Sequence, residues 1–247
     1  MIVRIKNFLT YDSLFEYAAD GDSSETNKFQ PKTLSYMFLG MDKLITELEK
    51  KGIKFQKLHA LEVFGRGGDW HTIAYADKVN SLEVWEIDKK WKNELKKNLP
   101  HAKIRFLDSI QTIHESDNFA KFNFIVIDNP QNLYGPKSGG LEPQYCEHFD
   151  IIKKIDKLIG KSGTVVFNVN PKPFDYDKFP LWKKRREEFY GMENTSDMTN
   201  EFLINFYEKL FESLGFETVL HIIVRRVTPN PIETLYYFAY NLKRIEK

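Results

Sequence analysis

Leu61-Glu62-Val63-Phe64-Gly65-Arg66-Gly67-Gly68-Asp69 sets an apolar stretch directly before a glycine cluster. Glycines at such a point let the backbone turn tightly and approach a ligand with no Cβ in the way. The segment reads as a strand, a turn and the start of a helix, with the turn a candidate for ligand binding; a purely structural turn is the alternative. A dinucleotide site asks for G-x-G-x-x-G, but after Gly65 and Gly67 the third position falls on Trp70. An indole there removes the close helix-to-strand packing that glycine provides, so an NAD site fits poorly.

Outward from this turn, apolar positions alternate between strand and helix periods, the pattern of a parallel sheet covered by helices on both faces. Strands are expected over about 58–64, 82–87, 103–106, 122–127, 164–169, 217–224 and 234–242. Helices are expected over about 70–76, 89–98, 144–159 and 199–214, with a short one after Ser109 and Gly215 as a helix stop. The last two strands are joined through Thr228-Pro229-Asn230-Pro231, a connection short enough for an antiparallel pair. Upstream, Leu34, Met37, Phe38, Met41, Leu44, Ile45 and Leu48 recur at three- and four-residue spacing after Pro31, which predicts an amphipathic helix ahead of the sheet. Residues 1–56 read as an N-terminal extension and helix, and 57–247 as the main domain with an irregular insertion at about 170–197.

Lys and Arg total 36 against 35 for Asp and Glu, so the net charge of +1 gives no global pull toward phosphate or anionic lipid. Cys146 is the lone cysteine, which leaves no intrachain disulfide, and the charged start Met1-Ile2-Val3-Arg4-Ile5-Lys6 lacks the apolar stretch of a signal peptide. A cytoplasmic protein without a membrane span is expected.

Acidic residues close several of the expected strands. Glu86 ends Val84-Trp85-Glu86, about 20 residues beyond the glycines, where a nucleoside-binding fold offers a carboxylate to ribose hydroxyls. Two hydroxyls meeting one carboxylate make a charge-assisted bidentate contact. Asp88 instead suits a helix N-cap before Lys89-Lys90-Trp91, and Asp108 can likewise cap the short helix after it. Phe124-Ile125-Val126-Ile127-Asp128-Asn129-Pro130-Gln131 delivers polar groups to the sheet's carboxyl edge, where open α/β sheets bind ligands. A simple strand-ending turn is the alternative there.

These ordered motifs resemble those of class I, Rossmann-like S-adenosylmethionine (SAM)-dependent methyltransferases, over about 57–242. The resemblance implies an α/β fold with a seven-stranded, mostly parallel sheet and a C-terminal antiparallel hairpin. It implies SAM as cofactor, with Glu62 facing the methionine amino group and Phe64, Gly65, Gly67 and Gly68 in the turn beneath it. Glu86 would take the ribose and Asp108 the adenine amino group. Phe64 and Arg66 stand where many members carry glycine. The strand ending at Asp128 and Asn129 resembles the Asp/Asn-Pro-Pro-aromatic motif of amino-methylating members, with Gln131 and Asn132 replacing the second proline and the aromatic. Asp128 and Asn129 are therefore the candidate catalytic residues, and the methyl acceptor is left open. An aminopropyl transferase on the same scaffold and a non-catalytic binding module are the rival functions, because fold does not fix chemistry.

Other features read more plainly. Cys146-Glu147-His148-Phe149-Asp150 has no second ligand cluster, so no metal is expected. Lys183, Lys184, Arg185 and Arg186 stand beside aromatics and offer a nucleic-acid contact, but Glu187 and Glu188 favour a solvated helix face. His71 lies near the turn, although a lone histidine reads first as a packing or surface residue; Arg225-Arg226 is equally ambiguous.

Overall fold

A computed structural model describes residues 36–115, 121–128, 133–134, 144–145, 148–171, 176–177, 180–226 and 235–246. The strands in chain order are β1 (His59–Glu62), β2 (Ser81–Glu86), β3 (Lys103–Phe106), β4 (Phe122–Ile127), β5 (Leu133–Tyr134), β6 (Gln144–Tyr145), β7 (Ile159–Val169), β8 (Phe216–Arg225) and β9 (Tyr236–Arg244). Seven of them form one sheet in the order β3-β2-β1-β4-β7-β9-β8, and β5 pairs with β6 alone. From β3 to β7 every pairing is parallel, whereas β9 runs antiparallel to both β7 and β8. The chain builds outward from β1 to β3, then returns to lay β4 on the other side of β1. That reversal makes the carboxyl ends of β1 and β4 a topological switch point, the crevice where open α/β sheets take ligands.

Alternation along the strands divides the interior into two cores. Leu61, Trp85, Ile125, Ile127, Val165 and Phe167 face one core, while Ala60, Val84, Phe124, Val126 and Val166 face the other. Burial on both faces explains why these strands are almost continuously apolar. Helix α1 (Tyr36–Lys50) drives Met41, Leu44, Ile45 and Leu48 into the second core, joined by Leu95 from α2 (Lys92–Asn98). The first core receives Ile113 from α3 (Ser109–Glu115), Phe149 from α4 (Phe149–Ile152), Phe189 from α5 (Pro180–Tyr190) and Leu203, Tyr207 and Phe211 from α6 (Asn200–Ser213). Thr199 caps α6 by accepting from the Phe202 amide, and Gly215 at φ +83° follows its last turn.

Two expected helices differ in the structure. The segment 70–76 tightens to a single 3₁₀ turn, Thr72–Ala74, because its side chains converge on a buried carboxylate. In 144–159 the expected helix is reduced to α4 and a 3₁₀ turn, Ile155–Lys157, and Ile159 already pairs with Phe122 of β4. Branched isoleucines are stiff in helices, and sheet pairing takes the last of them. The insertion at 170–197 contains α5. No helix among the described residues is long and apolar enough to cross a membrane.

Candidate functional site

Glu62, the last residue of β1, is fully buried. Its Oε2 accepts from Tyr75 Oη at 2.6 Å and Thr72 Oγ1 at 3.2 Å and lies 2.8 Å from His71 Nε2. Its Oε1 is equally buried and has no hydrogen-bond partner among the described residues. Directly across the switch point, Asp128 follows β4. Its Oδ1 accepts from Arg226 Nη1 at 2.9 Å, and its Oδ2 accepts from Tyr237 Oη at 2.5 Å. His71 Nδ1 approaches Asp128 Oδ2 to 3.1 Å, close enough for an ion pair but off line for a hydrogen bond.

His71 thus bridges the two carboxylates. Burial pulls its pKa down, but Glu62 and Asp128 together more than offset this and hold it above the ordinary 6.5. Burial, reinforced by the neighbouring carboxylates, keeps the Tyr75 and Tyr237 phenols protonated and therefore donors. The buried set holds two carboxyl groups, one guanidinium and an imidazole whose protonated form the two acids favour. Unpaired charge at such depth costs several kcal/mol per ion, roughly, so the balance matters to the fold as well as to any ligand.

The glycine turn leaves β1 beside this network. Gly65 N donates to Trp85 O at 2.9 Å, and a Cβ on Gly65 would lie 2.3 Å from Val84 Cγ1. Gly68 stands at φ +69°, and a Cβ there would lie 2.6 Å from Leu99 Cδ1. Gly67 leaves less need for an empty Cβ position, since its nearest neighbour would be Asp69 Oδ1 at 3.0 Å, and its carbonyl accepts from Asn98 Nδ2. The glycines therefore let the turn press against β2 and α2. Phe64 packs its side chain against the first core.

Arg66 has φ +44°, with its guanidinium 3.4 Å from the centre of the Trp70 ring and 5.0 Å from that of Trp91. Its amide donates to Glu86 Oε2 at 2.5 Å, and the Asp88 amide donates to Glu86 Oε1 at 2.7 Å. Burial raises the Glu86 pKa against these amide bonds. Asp88 caps the next turn through the Lys90 amide, as its sequence context predicts. Asp108 caps α3, accepting from the amides of Ile110 and Gln111, both through Oδ1.

The structure thus gathers Glu62, the glycine turn, Glu86 and Asp128 on the carboxyl edge of the sheet, while Asn129 lies outside the described residues. Sequence reasoning missed Thr72, Tyr75 and Tyr237 and undervalued His71 and Arg226. Arg226 directly after β8 and the Tyr237 hydroxyl within β9, polar groups in otherwise apolar stretches, were the available signal.

The basic run on α5 is not a free patch. Lys183 pairs with Glu187, Lys184 with Glu188 at 3.9 Å, and Arg185 with Asp150 at 2.6 Å. Arg186 departs from the solvated face expected for it: it is fully buried and donates to the Asn170 carbonyl at 2.7 Å. His148 is buried against Tyr207 Oη at 2.5 Å, and no group of metal-binding side chains occurs among the described residues. Cys146 lies outside them.

No protein-family model matches the chain, and no curated protein matches it. Among solved structures it resembles magnesium protoporphyrin IX methyltransferase (ChlM) from Synechocystis PCC 6803 with bound SAH, at 12% identity over 93% of each chain and a TM-score of 0.52. It also resembles a protein from Galdieria sulphuraria assigned as a sarcosine dimethylglycine methyltransferase, at 11% identity over 84% of this chain and 86% of that one, with a TM-score of 0.51. The fold is that of the class I SAM-dependent methyltransferases, with the expected mostly parallel seven-stranded sheet and terminal antiparallel hairpin.

Proposed function

We propose that this chain is a SAM-dependent methyltransferase that binds its cofactor across the carboxyl ends of β1 and β2. The observation that carries the reading is Glu62 Oε1, a buried carboxylate oxygen with no partner among the described residues, at the switch point of a methyltransferase fold. A buried acceptor of this kind costs stability unless a ligand donor meets it, and an amino-acid ammonium is such a donor.

In this reading Glu62 takes the methionine ammonium, and the main chain of Phe64, Gly65, Gly67 and Gly68 lines the turn under the ligand. Glu86 takes the ribose hydroxyls. Its two amide bonds leave lone pairs on both oxygens, because an ionised carboxylate has about four acceptor sites. Asp108 caps α3 through Oδ1 and offers Oδ2 to the adenine amino group.

SAM supplies a methyl group already activated on a sulfonium, so the protein's part is to bind, align and exclude water. Asp128 and Asn129 hold the acceptor at the end of β4. Asp128 already serves Arg226, Tyr237 and His71, which favours a role as fixed anchor over one as a free base.

Calorimetric titration with SAM and SAH, followed by a screen of nucleic-acid, protein and small-molecule pools for incorporation of labelled methyl, tests the proposal. Binding followed by incorporation is the expected result. Absence of binding at millimolar ligand refutes the cofactor assignment, and binding with no incorporation across the pools favours a non-catalytic module.

A further inference from the structure

His71 has both ring nitrogens against carboxylates, Nε2 at 2.8 Å from Glu62 and Nδ1 at 3.1 Å from Asp128. A neutral imidazole has one N–H, so one ring lone pair would lie beside a carboxylate oxygen; the imidazolium has an N–H on both sides, in line with Glu62 and off line but close to Asp128. The groups around it come from every adjoining element: Glu62 on β1, Thr72 and Tyr75 on the 3₁₀ turn, Asp128 after β4, Arg226 after β8 and Tyr237 on β9. The phenols and the threonine are neutral donors. Glu62 and Asp128 are thus balanced by Arg226 and protonated His71.

We propose that His71 is a positioning residue whose proton is exchanged for the ligand ammonium at Glu62. This rests on the cofactor reading given above. The ligand's amino-acid arm is neutral overall, its ammonium being matched by its own α-carboxylate, but an ammonium at Glu62 Oε1 would put a second cation on one buried carboxylate whose Oε2 already takes His71. Arg226 cannot give up a proton, since guanidinium stays charged in proteins. His71 can, and the Nδ1 proton is the one released to solvent, because its contact with Asp128 is off line whereas Nε2–H remains on Glu62. The neutral ring then holds Glu62 in place through Nε2 while the ammonium occupies the other carboxylate oxygen. The raised pKa of free His71 agrees with this geometry and gives the exchange its direction: ligand binding lowers it.

The test uses the full chain and SAH, which carries the ammonium, against 5′-methylthioadenosine, which has the nucleoside but no amino-acid arm. Each is titrated calorimetrically at several pH values between about 5.5 and 8, in buffers of different ionisation enthalpy that count protons released. For SAH, release of up to one proton is expected, with the affinity rising about tenfold per pH unit across the interval between the free and bound pKa of His71. Methylthioadenosine should release none from this site, and His71→Gln should bind SAH with no proton release and a flat pH profile. Should the variant fold poorly, the labelled His71 ring in the wild-type protein gives the same answer by NMR: its titration must move to lower pH when SAH is added. SAH binding with no proton release, or an unmoved His71 titration, overturns the inference and leaves the cofactor reading intact. Absence of SAH binding overturns both.

Discussion

Replacing Asp128 by alanine removes the anion from a site in which its own side chain is 2% exposed and that of Arg226 6% exposed. Breaking a buried ion pair from one side typically costs about 3–5 kcal/mol, because the remaining charge is stranded away from water. The Tyr237 hydroxyl and one side of His71 lose their partner in the same step, so the upper part of that range is the better expectation. Against a total stability of about 5–15 kcal/mol this is a large share. At about 2–4 °C per kcal/mol for a protein of this size, the midpoint of thermal unfolding should fall by roughly 6–20 °C. Urea unfolding of Asp128→Ala, Arg226→Met and the double variant measures the effect. The double variant should be more stable than the sum of the two losses predicts, since removing both partners leaves no stranded charge. A loss below about 1 kcal/mol for Asp128→Ala, or simple additivity in the cycle, would refute the idea that this pair is a buried, coupled unit. The result also bears on function: lost methyl transfer in Asp128→Ala would not by itself show a catalytic role, so Asn129→Ala is the cleaner probe of acceptor binding.

Gly65→Ala should destabilise the protein by about 1–3 kcal/mol in urea unfolding, because its Cβ would lie 2.3 Å from Val84 Cγ1; wild-type stability would show that the turn can shift away from β2. Glu86→Ala should weaken SAH binding by about 1.5–3 kcal/mol through loss of charge-assisted contacts, and an unchanged dissociation constant would place the ribose elsewhere. His148 is pushed well below the ordinary 6.5 by burial and by the Arg186 cation, so the unfolded chain binds a proton there that the folded chain refuses. Stability should therefore fall as pH drops below 6.5 toward the folded value, by up to about 1.4 kcal/mol per pH unit. Comparing urea unfolding of wild type and His148→Gln between pH 7 and pH 5 checks this, since the variant must lose that part of the slope. Asn129→Ala should lower methyl transfer at unchanged SAH affinity once an acceptor is known, and a normal rate would move the acceptor site off β4.

The strands were legible because burial on both faces makes them apolar without a break. Phe122–Ile127 matches its expected bounds for that reason, whereas the half-exposed edge strand Lys103–Phe106 matches through its alternation of Ile104 and Phe106 with Lys103 and Arg105. The helix expected over 144–159 failed where its isoleucines serve the core in two short turns and a strand instead of one stripe. At the site, the end-of-strand acids Glu62, Glu86 and Asp128 could be read from local pattern, but what holds Asp128 could not. Its partners Arg226 and Tyr237 lie 98 and 109 residues away in sequence, and no local periodicity carries that information.

The glycine turn shows the same limit from the other side. Gly65 and Gly68 are where a turn was expected, yet the atoms that forbid a Cβ belong to Val84 and Leu99 of the neighbouring strand and helix connection. The departures at Phe64 and Arg66 can be weighed accordingly. Phe64 adds its ring to the first core, so a side chain is accommodated there without entering the turn. Arg66 takes a left-handed conformation that costs a non-glycine residue about 1–2 kcal/mol. Its guanidinium over Trp70 returns about 0.5–2 kcal/mol as a cation–π contact. The two terms are of the same size, so arginine can hold a left-handed backbone shape that otherwise favours glycine, and its amide still reaches Glu86.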